Sequence, residues 1–233
     1  MKPLSNLSDD NLAGMAEAGG RILECYRLLA KGGGNIVGEV LRGQGTFYEF
    51  DHYPAGDVHD PETHCQHYYH SHRSGEHGHF HVFLREKGMP EGLLPIEQSH
   101  APFMDEREDT LCHLIAISMN PAGFPIALFT TNRWVTADNW YVAEDVIQML
   151  DHFCMDLAYP SLPVNIWINA MLELFRPQVE DLIRIRDKTV AVWAAAHPDR
   201  DVFEDRELDV TSSRRILVEK TIERVRRASE AKR

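Results

Sequence analysis

Several familiar features are missing from this chain of 233 residues, and each absence closes off a class of function. No apolar run approaches the length of a membrane-spanning helix. The opening Met1-Lys-Pro-Leu-Ser-Asn-Leu lacks the apolar core of an export signal, so a cytoplasmic location is expected. The four cysteines, Cys25, Cys65, Cys112 and Cys154, are scattered and include no Cys-x-x-Cys pair, which predicts buried free thiols rather than disulfides. Positive charge is scarce: 24 Lys and Arg face 36 Asp and Glu, a net charge of −12. That balance disfavours nucleic-acid phosphates and anionic lipid surfaces, so neither nucleic acid nor membrane is an expected partner. The exception is the C-terminal run of Arg214, Arg215, Lys220, Arg224, Arg226, Arg227, Lys232 and Arg233. It reads as a helix with a solvated cationic face that complements the helix dipole. Gly32-Gly-Gly34 lacks the strand before it and the Lys-Ser/Thr after it that a phosphate cradle needs, so no nucleotide cofactor is expected. No Gly-x-Ser-x-Gly elbow and no thiol-protease signature supports nucleophilic catalysis.

What the chain does have is histidine. Nine of its thirteen histidines lie between His52 and His81, most densely over His70-Ser-His72-Arg-Ser-Gly-Glu-His77-Gly-His79-Phe-His81. Histidine is the commonest metal ligand and the side chain that changes charge nearest neutral pH. Alternate residues on a strand share one face, so this spacing gathers imidazoles on one side of a hairpin.

The surrounding pattern predicts an α+β fold in a single domain, residues 1–233. An N-terminal helix over 8–31 starts at Ser8, carries Asp9 and Asp10 in its first turn, and ends at Gly32. Its stripe is Leu12, Met15, Gly19, Ile22, Tyr26 and Leu29. An antiparallel sheet of about five strands is expected over 45–132: Thr46–Phe50, Thr63–His72, His77–Arg85, Leu111–Ser118 and Pro125–Thr131. Pro90–Pro102 reads as a loop. A helical part over about 136–228 follows, with helices starting at Thr136, near Pro163, at Pro177 and at Ser213, packed on one face of the sheet.

With Ser74-Gly75 as central turn residues, His72 falls opposite His77, His70 opposite His79 and Tyr68 opposite His81. Gln66, Tyr68, His70, His72, His77, His79, His81, Phe83 and Arg85 then share one face. Cys65, His67, Tyr69, Phe80, Val82 and Leu84 take the apolar one. Imidazoles converging from such positions can reach a common ion at roughly 2.0–2.1 Å per bond. The expected ligands are His70, His72, His79 and His81, with His77 nearer the turn. Asp57, Asp60, Glu62, Glu76 and Glu86 are the carboxylates within reach. All-imidazole ligation suits zinc, iron, nickel or copper, and replacing one imidazole by a carboxylate favours iron. The competing reading is a structural cluster tied by hydrogen bonds to carbonyls and tyrosines. Asn132 and Arg133, at a strand end, and Tyr68 are candidates to bind a small-molecule substrate. Arg133 could grip an acidic group or pair with a local acid such as Asp138. His113 either points to the cluster or is an ordinary core histidine.

His79-Phe-His81 followed by Glu86 resembles the His-x-His-x4-Glu element of the cupins, which implies a metal inside a small β-barrel. A broader likeness rests on Gly56-Asp-Val-His59, Tyr68-Tyr-His-Ser-His72, Gly75-Glu-His-Gly-His-Phe-His81, Phe129-Thr-Thr-Asn-Arg-Trp-Val-Thr136 and Pro160-Ser-x-Pro-x-Asn165-x-Trp167. These segments resemble a bacterial family catalogued only as a domain of unknown function, over about residues 45–210. That resemblance implies no activity. Two functions are therefore carried forward. One is a zinc- or iron-dependent enzyme acting on a small molecule, with the ion activating water or iron engaging oxygen. The other is a non-catalytic binding or pH-sensing domain with structural histidines. The apolar stripe of the first helix allows a homodimer contact, though packing within the chain is the simpler use.

Overall fold

The computed structural model describes residues 4–97 and 110–232. Residues 98–102 of the expected loop lie outside the described residues. The chain runs through α1 (Asp9–Lys31), α2 (Ile36–Val40), β1 (Tyr53–His59), β2 (Cys65–His70), β3 (Gly78–Arg85), β4 (Leu111–Met119) and β5 (Pro125–Thr131). It continues with α3 (Arg133–Thr136), α4 (Ala143–Met149), α5 (Leu162–Leu174), α6 (Arg176–Ala196), β6 (Val210–Arg215) and α7 (Val218–Glu230). The fold is α+β: one open antiparallel meander in the order β1-β2-β3-β4-β5-β6, with a helical C-terminal part.

The first helix forms as its sequence dictates. The Ser8 side chain accepts from the Asn11 N–H at 3.1 Å, and Leu12, Met15, Ala18, Gly19, Ile22, Cys25 and Leu29 are buried. α1 lies against α5 and α7. A Cβ at Gly19 would come within 2.7 Å of Ile222 Cγ1 on α7, whereas one at Gly20 would meet nothing within 4 Å. Gly19→Val is therefore expected to push α7 away and cost about 1–3 kcal/mol. Gly20→Ala should stabilise by about 0.5–1 kcal/mol. Urea midpoints of the two variants check both signs.

The sheet departs from the five-strand expectation at its two edges. Thr46–Phe50 is not a strand: Phe50 has φ 69° and is exposed, and the Tyr53 hydroxyl ties the loop by accepting from Tyr48 N–H and donating to the Thr46 carbonyl. The strand comes later, over Tyr-Pro-Ala-Gly-Asp-Val-His, with its pairing interrupted between Tyr53 and Val58. Pro and Gly hide such a strand in sequence, yet an edge tolerates both. At the other edge, Val210–Arg215 pairs with β5, so the last helix starts at Val218 rather than Ser213. The helix expected from Thr136 is also broken. Thr136 closes the short α3, Ala137 is left-handed at φ 53°, and the buried Asp138 carboxylate accepts from the His113 N–H and the Thr136 hydroxyl. Cys154 is exposed; the other three thiols are buried and free.

One sheet face packs on helices. Cys65, Tyr69, Phe80, Val82, Leu84, Ile115 and Ile117 join Trp167 and Ile168 of α5 and Leu182 and Ile183 of α6 in a continuous apolar core. His67 lies on this face, fully buried. It bonds the Asn165 side chain at 2.9 Å, and Asn165 also holds the carbonyls of Leu157 and Tyr159. Asn165→Ala should strand all three partners and cost about 3 kcal/mol or more, read as a lower urea midpoint. The opposite face carries the polar set. It is also buried along every residue of β2 and β3.

A candidate metal centre on the polar face

β2 and β3 pair Tyr68 with His81 and His70 with His79, the expected register. The turn is wider than expected. His70–His79 is the last strand pair, and Ser71–His77 forms the loop. Gly78 permits this geometry, since a Cβ there would lie 2.5 Å from the His70 carbonyl oxygen and 2.7 Å from the Tyr69 hydroxyl. His77 leaves the set: it bonds the Tyr69 hydroxyl at 2.8 Å and stacks on Phe47.

His79 is the hub. Its Nε2 lies 2.7 Å from His70 Nε2 and 3.1 Å from His81 Nε2, while its Nδ1 lies 2.6 Å from Glu76 Oε1. His81 in turn places Nδ1 2.9 Å from His113 Nε2. His70, His72 and His79 each offer one ligand atom, and the three lie within 4.8 Å of one another, a triad that can hold a metal ion. His79 and His81 are fully buried, His70 nearly so, and His72 is half-buried.

Charge is managed in two ways. Burial is the main force holding these imidazoles neutral, reinforced by their neighbours: it pushes His70 down to about 2 and His113 to about 3, lowers His72, and puts His81 well below its ordinary value. A neutral imidazole is the form that binds a metal. Burial works to raise Glu76, but hydrogen bonds from His79 and the Ser118 hydroxyl outweigh it and hold the carboxyl below its usual value. An ionised carboxylate only accepts, so His79 donates its Nδ1–H to Glu76 and turns Nε2 toward the cluster. Two further imidazole nitrogens, those of His70 and His81, crowd that Nε2. A carboxylate behind a histidine, fixing its tautomer and raising its basicity, is the usual support of a metal-ligating ring.

The other residues singled out in sequence divide. Tyr68 lines the site: it stacks on His52 with centroids 3.7 Å apart and lies 5.1 Å from the His70 ring and 5.2 Å from His81. Asn132 and Arg133 are engaged elsewhere. Asn132 caps α3 and donates to the Val202 carbonyl at 2.7 Å, and the buried Arg133 pairs with Glu204. Of the five carboxylates, Glu76 joins the histidines. Asp57 instead accepts from Gln66 and bonds His52, Asp60 accepts from the backbone at Glu62, Thr63 and Asp156, and Glu62 is exposed. Glu86 is exposed and bonded to the Thr110 hydroxyl. With Glu86 displaced and the sheet open rather than closed, the cupin likeness ends at the His-x-His pair.

His113 enters the cluster through a bulge. Val82 pairs with Ile115 but Phe83 with His113, so Leu114 is the extra residue. Strict alternation would put His113 on the apolar face with Ile115 and Ile117. The bulge turns it to the opposite face, beside His81. Ser118, opposite His79, had no signal of its own in the sequence.

The chain belongs to the family described as "Domain of unknown function (DUF6969)", whose model matches residues 16–216. No curated protein and no solved structure matches it. Among the described residues, no helix is long and apolar enough to cross a membrane.

Proposed function

We propose that this protein binds one transition-metal ion through His70, His72 and His79 and uses it on a small molecule. The observation that carries the reading is the convergence of three imidazoles within 4.8 Å, one of them held from behind by Glu76. Three imidazoles leave coordination positions for water or a substrate oxygen. A bound zinc or iron ion would supply Lewis acidity there. Tyr68 and His52 form a flat aromatic wall beside His70 on which a planar ligand can rest. The test is elemental analysis of tag-free protein purified without added metal. About one equivalent of zinc or iron is expected. Trace metal that is equally low in His79→Ala rejects the reading.

One distance favours a second reading, a hydrogen-bonded cluster without metal. His70 and His79 nitrogens at 2.7 Å are closer than the ~3.3 Å that separates two ligands of a tetrahedral ion with bonds near 2.0–2.1 Å. In that reading His70 donates its Nε2–H to His79, and the face is a non-catalytic, pH-responsive cluster. Stability would then change between pH 7 and about 5.5 in a way that zinc does not alter.

A further inference from the structure

One row of paired residues crosses the polar face of the sheet as His70, His79, Ser118, Ala127 and Arg215. At about 4.8 Å per strand, Arg215 stands about 14 Å from His79 on the same side. The far end of that row opens into a cleft of about 860 Å³, within the size range of a small-molecule site. Its floor is apolar, with Ala127, Phe129 and Ile216 among the residues lining it. Glu76 and Ser118 form part of its wall, so the cleft and the histidine cluster share a partition.

The rim is cationic in a protein of net charge −12. Arg73 comes from the histidine loop, Arg214 and Arg215 from β6, and Lys220 and Arg224 from α7. Arg214 is paired with Asp181 at 2.6 Å. Arg73 rests over the Phe129 ring, and no carboxylate pairs with Arg73, Arg215, Lys220 or Arg224 among the described residues. The other large cavity, of about 960 Å³, is the contrast. There Arg21 pairs with Glu173, Arg176 with Asp151 and Glu180, and Arg184 with Glu144 and Glu180, so its charges are already neutralised. A second observation points to a ligand in this cleft. Gln178, only 6 % exposed, lines the cationic cleft, and its buried side-chain oxygen has no hydrogen-bond partner. A buried acceptor left unsatisfied is uncommon and is relieved only by a donor on a ligand, such as a hydroxyl, so it marks the cleft as a ligand site while the cationic rim sets the charge of the head.

We infer that this cleft binds a small organic dianion, a phosphate monoester or a dicarboxylate, with an apolar body. The charged head sits among Arg215, Lys220 and Arg224, where guanidinium groups match its oxygens. The body lies along Ala127 and Phe129 toward Glu76. The inference goes beyond the metal reading and does not rest on it.

The test is calorimetric titration of the full chain, metal-free and dialysed clear of chelator, at low ionic strength. Phenyl phosphate and phthalate are the two probes. Saturable binding of either with Kd below about 1 mM is expected, the tighter one identifying the headgroup. Lys220→Glu with Arg224→Glu should weaken that probe about tenfold or more, since each removes a charge-assisted contact. Arg226→Glu, on the same helix but outside the cleft, should leave it unchanged. Because the titration uses metal-free protein, it is independent of the metal site, so either reading can fail alone. Absence of saturable binding of both probes up to about 10 mM overturns the inference. Equal weakening by Arg226→Glu overturns it too, because general charge attraction would then suffice.

Discussion

His79→Ala is expected to abolish metal binding, and Glu76→Gln to weaken it about ten- to a hundredfold without abolishing it. The two substitutions act on one ring from opposite sides. Alanine removes the hub nitrogen that lies 2.7 Å from His70 and 3.1 Å from His81. Glutamine can still accept the Nδ1–H of His79 at its amide oxygen, so the tautomer survives. What it loses is the negative charge that makes the ring a stronger donor to a cation. His81→Gln supplies the discriminating comparison. His81 turns Nδ1 to His113 at 2.9 Å and lies outside the converging triad, so most of the affinity should remain. Competition against a chromophoric chelator measures all three variants, with thermal melts to show that each folds. If His81→Gln loses zinc as completely as His79→Ala, the ligand set named here is wrong.

The metal-free protein is expected to lose stability steeply as pH falls below about 6.5, whichever reading of the cluster holds. An imidazole in the unfolded chain protonates near 6.5. Burial holds His67 at about 4 in the fold, despite the Asn165 bond that favours its protonation, and His113 at about 3. Between those values and 6.5 the unfolded chain carries the extra protons, so stability rises with pH across that window. The contribution is complete above about 6.5, is lost as pH falls toward the folded-state values, and is flat below them. His67 alone accounts for about 3 kcal/mol by pH 4, an order-of-magnitude figure set against a typical total of 5–15 kcal/mol. His70, His72 and His81 act in the same direction. Urea midpoints at pH 7.5, 6 and 5 check the slope, and His67→Gln should reduce it by one proton's share, about 1.4 kcal/mol per pH unit at most. A midpoint that holds steady from pH 7.5 to 5 would contradict the burial of these rings in neutral form.

The two results address different layers. The chelator competition asks whether the Nε2 atoms are there for a cation. The acid titration asks whether the fold keeps its buried imidazoles uncharged, the form in which a histidine ligates a cation. A protein that passes the second and fails the first is the hydrogen-bonded cluster, and the cationic cleft beside Glu76 would remain to be judged by its own titration.

By itself the sequence determined what depends on neighbours in the chain. Ser8, the acidic first turn and a three-and-four stripe specify α1. Alternation specifies which face of β2 and β3 holds histidine and which holds Tyr69, Phe80, Val82 and Leu84, because a one-residue slip would mix the two sets. The pairs His70–His79 and Tyr68–His81 follow once Ser74-Gly75 is taken as the centre of the turn. Tertiary structure alone decided the rest. Strands β1 and β6 are held by their neighbours' open edges rather than by their own pattern, so Pro54 and Gly56 in one and the polar run Thr211–Arg215 in the other gave no strand signal. A single extra residue, Leu114, rotates His113 by half a turn, and no local rule fixes where a bulge falls. Glu76, one of five nearby acids, was chosen by the path of a wider loop. The C-terminal cations became the rim of a cleft because β6 and α7 bring them beside Arg73, more than 140 residues away in the chain. Helix and strand faces are short-range properties, set by backbone geometry over a few residues. Which distant charges and rings meet is set by how the whole sheet and its helices close over one another.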